Sequence, residues 1–160
     1  MKKNRKYSGF TLVELIVVIA IIGVLAAILV PSMVGYVSKA KFSAVNSTAK
    51  TLYNAGMTVC REHDVIKPIP EGIYTAQELA GTESGLIYDE TITRHMYQYY
   101  ADIEGKVWAV SIKNDSVAGT CYLKTLGDVY VGTYPHNNNE KISQFSFGKT
   151  VEYAETGVWN

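Results

Sequence analysis

Glu14 is the single charged residue between Phe10 and Val30 ("FTLVELIVVIAIIGVLAAILV"). On a membrane-spanning helix a carboxylate costs about 2.5–3.5 kcal/mol at mid-bilayer and less near an end, so it calls for a partner and a role. The remaining residues with obvious chemistry are two cysteines, Cys60 and Cys121, and three histidines. Cys60-x-x-His63 could join Cys121 and His95 or His136 around a metal, but that spacing is not a recognised zinc pattern. A disulfide or two thiols are the alternatives. No catalytic constellation stands out. GxxxxGK-like stretches lack the Lys-Ser/Thr ending in a strand–loop–helix context, and Gly-x-Ser-x-Gly does not occur. A chain that is not an enzyme and carries no cofactor is expected. "NST" at Asn46 and "NDS" at Asn114 match the glycosylation sequon and read as incidental.

A length of 160 residues suits one domain and its core. The formal net charge is zero, yet Lys2, Lys3, Arg5 and Lys6 precede the apolar run with no acid among them, leaving 11 basic against 15 acidic residues in the rest. A mildly acidic body has no general attraction for nucleic acid, and direct binding to it is not expected. As a helix, residues 10–30 would extend roughly 30 Å, the thickness of a bilayer's hydrocarbon core. The basic start keeps the N-terminus cytoplasmic and places the residues after about 31 outside, by the positive-inside rule. The run is too long for a secretory signal peptide, and no Ala-x-Ala follows it. A single-pass anchor fits the length but leaves Glu14 unexplained.

The stretch "KYSGFTLVELIVVIAIIGVLAAILVP" resembles the N-terminus of type IV prepilins and the related pseudopilins: a short basic leader, Gly, Phe-Thr-Leu-x-Glu and an apolar helix. The pattern extends over residues 2–31. The resemblance implies that a membrane aspartyl prepilin peptidase removes residues 1–9, cutting between Gly9 and Phe10, and N-methylates Phe10. Cutting creates an amine on Phe10, with Glu14 four residues along on the same helix face. In the family this glutamate is thought to meet the N-terminal amine of a neighbouring subunit, so that only a correctly staggered subunit satisfies it. Assembly into a helical homopolymer with a peptidase, a cytoplasmic motor ATPase and a platform protein is likewise implied. The product would be a surface pilus for adhesion or motility. A pseudopilin of type II secretion or DNA uptake is the alternative within the family, and a membrane-tethered binding module that never polymerises is the alternative outside it.

Pro31 removes one helical hydrogen bond, to the carbonyl of Ala27, and Gly23 and Gly35 weaken the helix further. In the family the stretch from Gly23 to Pro31 often loses helicity inside the filament; a mild kink in an intact helix is the other reading. Residues 31–62 have helical periodicity. Val34, Val37, Val45, Thr48, Leu52, Ala55 and Val59 fall in one sector, with Lys39, Ser43, Asn46, Lys50, Asn54 and Arg61 opposite. Residues 63–94 read as a connecting loop with one short helix at "TAQELAG", where Thr75 and Glu78 have capping-box spacing. Residues 95–160 read as an antiparallel sheet head. "HMYQYYAD", "KVWAVSIK", "GTCYLKTL" and "DVYVGTY" are its strands, Trp108, Val110 and Ile112 face the helix, "PHNNNEK" is a surface loop, and the C-terminus adds edge strands. The expected class is α+β, the pilin fold.

On a displayed domain the first reading of Cys60 and Cys121 is a disulfide from the helix end to a central strand. Closing about 60 residues would contribute about 4 kcal/mol in the chain-entropy model. Many pilins instead carry their cysteine pair near the C-terminus around a variable loop, and this chain departs from that arrangement.

Overall fold

The computed structural model describes residues 9–64 and 67–159. The basic leader lies outside them except for Gly9. Helix α1 runs Leu12–Asp64 and is unbroken through Gly23 and Pro31. The turn at Pro31 gains a substitute bond, the Ser32 hydroxyl donating to the Leu29 carbonyl at 2.8 Å. Contacts divide the chain into two compact units, residues 1–38 and 39–160. In the first, the large apolar side chains from Phe10 to Val37 are all exposed, as expected of a helix apolar on every side that has no partner element.

The second unit holds the core. Here α1 buries Phe42, Asn46, Ala49, Leu52, Ala55 and Val59 at intervals of three or four, with Cys60 beside Val59. The expected stripe needs two corrections. Val34 and Val37 are exposed and belong to the first unit, and Asn46, assigned to the polar side, is buried because its amide is used internally.

Five strands follow: β1 (Gly72–Thr75), β2 (Leu86–Ile87), β3 (Val107–Lys113), β4 (Ser116–Leu123) and β5 (Gly132–Tyr134). They form one sheet in the order β2-β1-β3-β4-β5. All pairings are antiparallel except β1 with β2. β1 and β2 therefore replace part of the expected loop over 63–94. The β3–β4 hairpin closes on Asn114 and Asp115, both with positive φ. Two such residues define a turn whose twist matches the strands it joins.

The two faces of the sheet are covered differently. Thr120 donates its hydroxyl to the Ala49 carbonyl of α1 at 2.9 Å, and Val110 lies against Gly56 of α1. Trp108 and Ile112 share that face by strand alternation, as the sequence suggests. On the opposite face Gly119 lies against Ala154 and Glu155, which belong to helix α3 (Phe147–Thr156).

Helix α3 corrects the expected C-terminal edge strands. Phe147, Val151 and Ala154 are buried at helical spacing, the Ser146 side chain accepts from Lys149 N, and Gly157 ends the helix at φ 75°. "HMYQYYAD" is also not a strand: its first five residues form the second half of helix α2 (Glu90–Tyr99), and Ala101 and Asp102 begin a 3₁₀ turn. The N-cap of α2, Asp89, accepts from Thr91 N and Ile92 N, and Ile92 and Met96 face inward. The "TAQELAG" helix shrinks to a 3₁₀ turn, Gln77–Leu79, with no side-chain cap, because Thr75 is committed to β1. "PHNNNEK" contains one fully buried residue, Asn138.

Candidate functional site

At the start of α1 two side chains satisfy each other's backbone. Thr11 donates to Glu14 Oε2 twice, from its amide at 2.9 Å and its hydroxyl at 2.7 Å, and the Glu14 amide donates to Thr11 Oγ1 at 3.3 Å. This is a reciprocal capping box, and it also sets a carboxylate at the positive end of the helix dipole. The sequence reading applied the Thr-x-x-Glu signature at 75–78 and missed it here, where it operates. Phe10 is 84% exposed. A side chain at Gly9 would meet nothing within 4 Å among the described residues, nor would one at Gly23 or Gly35, so none of the described residues demands glycine there.

The cysteines are not joined as expected. Both are buried, and no disulfide links them. Cys121 follows Thr120 on β4 and so points to the α3 face, whereas Cys60 lies on α1, across the sheet. A bridge would have to pass through the strands. Burial pushes the Cys121 thiol up to about 12, partly countered by a backbone hydrogen bond at Ala109.

His63 and His95 come together, with ring nitrogens 3.2 Å apart. His136 does not join them: its Nδ1 is 3.0 Å from the Ala154 carbonyl. Among the described residues no group of three or more His, Cys, Asp or Glu side chains could hold a metal ion. The Cys60, His63, Cys121 and His95 or His136 combination is thus not assembled.

Asn46 joins helix to sheet. It accepts from Thr133 N at 3.0 Å and donates to the Asn138 carbonyl at 2.8 Å, and Asn138 in turn donates to the carbonyls of Val131 and Glu140. With its amide engaged on both sides, Asn46 is unavailable as a glycan acceptor in the folded head. The same contact explains Gly132, where an added Cβ would fall 2.0 Å from the Val45 carbonyl oxygen.

These parts define an α+β protein whose N-terminal helix is long and apolar enough to cross a membrane. Residues 4–30 match the prokaryotic N-terminal methylation motif. The chain is 46% identical over 154 residues to the type IV major alpha-pilin of Moraxella bovis, covering 94% of this chain and 82% of that protein. It therefore belongs to the type IV pilin family.

Two other relatives match over shorter lengths. The type IV major pilin protein PilA of Myxococcus xanthus is 41% identical over 61 residues, 38% of this chain and 28% of that protein. The type II secretion system core protein G of Vibrio cholerae is 44% identical over 55 residues, 34% and 38% respectively. No solved structure is matched.

Proposed function

We propose that this chain is the structural subunit of a type IV pilus, held in the membrane by residues 10–30 until it is cut after Gly9, N-methylated at Phe10 and polymerised. The carrying observation is Glu14. Both hydrogen bonds from Thr11 end on Oε2, which leaves Oε1 to receive a cation. The amine that cleavage creates on Phe10 of a neighbouring subunit has the right charge. In a low-dielectric surrounding an uncompensated carboxylate is expensive, so pairing favours one stagger between subunits. Before cleavage residue 10 has no free amine, so processing licenses assembly. The freedom from internal constraint at Gly9 supports a glycine required by an external enzyme.

The exposed apolar surface from Phe10 to Val37 calls for lipid first and other copies of the helix afterwards. Local melting between Gly23 and Pro31 would then belong to the packed fibre, since α1 is intact in the single chain. The N-terminus would be cytoplasmic and the head outside, with a prepilin peptidase, a motor ATPase and a platform protein acting on the chain. It would be a substrate of enzymes and not itself one.

Two measurements test the reading. N-terminal sequencing of the mature protein should begin at methylated Phe10; a mature chain beginning at Met1 would favour a tethered module and sink the proposal. Glu14→Ala should leave membrane insertion intact and abolish or shorten filaments seen by electron microscopy. The pseudopilin reading draws on the likeness to core protein G, which is confined to about a third of this chain. A dominant band in sheared surface fibres would favour the major pilin.

A further inference from the structure

His63, near the end of α1, and His95, on α2, face each other across two elements. His63 Nε2 lies 3.2 Å from His95 Nδ1, and the ring centroids are 5.3 Å apart with planes inclined at 57°. Two imidazoles on one tetrahedral ion, with metal–nitrogen bonds of about 2.0–2.1 Å, hold their nitrogens about 3.3 Å apart and their ring centres about 5.2 Å apart. The rings thus already stand at chelating distance. We propose that His63 and His95 form a two-histidine clamp for a transition-metal dication, with Zn2+ the best-suited occupant, fastening the C-terminal end of α1 to α2.

Three further observations support it. Both rings are half-buried, held by the fold yet reachable from solvent. One residue before His63, the Glu62 carboxylate accepts from the hydroxyl of Tyr99, one helical turn beyond His95 on α2, so a second contact fixes the two helices in the required register. The chemistry also balances. Without metal, one N–H bridges the two nitrogens. When the ion enters, that proton moves to the other nitrogen of its own ring, both imidazoles stay neutral, and each lone pair forms one bond to the metal. Water completes the coordination, because no third His, Cys, Asp or Glu among the described residues is placed to do so. Affinity is correspondingly lower than at three- or four-ligand sites. The clamp is independent of whether the chain polymerises.

The full chain in detergent, stripped with chelator, would be melted with and without about 0.5 mM ZnCl2. The midpoint should rise by about 3–8 °C with zinc. His63→Asn and His95→Asn should each lose that shift, and His136→Asn should keep it. No shift in the unaltered chain overturns the proposal, as does the same shift in both pair variants, which would put the ion elsewhere. Should a variant fail to fold, zinc protection from diethyl pyrocarbonate in the unaltered chain decides: His63 and His95 should both be protected, and modification unchanged by zinc overturns the clamp.

Discussion

Between Leu12 and Val37 the large apolar side chains of α1 are exposed, while from Phe42 to Val59 the same helix buries side chains at intervals of three or four positions. The first stretch is apolar on all sides, so no single partner element could cover it, and its stability depends on what surrounds it. The second carries one stripe, and the chain supplies the sheet that covers that stripe. Substitutions of one kind should therefore have different consequences in the exposed stretch and in the head.

Glycine gives the widest contrast. Gly132→Ala would push a Cβ to 2.0 Å from the Val45 carbonyl oxygen, and loss of more than about 4 kcal/mol, or failure of the head to fold, is expected in chemical denaturation. Gly23→Ala meets nothing within 4 Å and should favour α1 by about 1 kcal/mol, visible as higher helicity in circular dichroism. Leucine comes next. Leu52 is fully buried and Leu25 is 54% exposed, so Leu52→Ala should cost the head about 2–5 kcal/mol, and Leu25→Ala should leave its melting unchanged.

The smallest effect sharpens the picture within the head. Glu83 is half-buried, and burial alone would raise its carboxyl. Hydrogen bonds from Ser146 Oγ and from the amides of Gly148 and Phe147 outweigh this and hold it below the usual glutamate value. With the folded pKa depressed, the contribution is complete above the unfolded value and is lost as pH falls through the folded one. Glu83→Gln should cost about 1–2 kcal/mol at neutral pH, and progressively less as pH falls below the ordinary glutamate range, measured as the difference between urea midpoints.

The N-terminal segment was legible because its signals are local and chemically unusual: a lone acid in an apolar run behind a basic leader. The β3–β4 hairpin was legible for the same reason, since "NDSV" marks a turn and Trp108, Val110 and Ile112 alternate. The rest of the head was harder because its decisive partners are distant. "HMYQYY" alternates enough to suggest a strand, yet Ile92 and Met96 need a helix to face inward together, and its cap, Asp89, precedes the stretch that was read. The C-terminal helix is helped by Glu83, more than sixty residues away. Asn46 has the polarity of a surface residue, and its burial follows from donors and acceptors on β5 and the loop after it. Thr-x-x-Glu occurs at 11–14 and 75–78, and only a free helix start, available at the first and absent at the second, decides between them.

The placement of Cys60 and Cys121 on opposite faces of one sheet has a consequence for manufacture. The strands stand between the two sulfurs like a partition, so the folded head neither waits for an oxidant nor fears one. Under oxidising conditions the folded head would offer no pair of thiols for glutathione or an oxidase to connect.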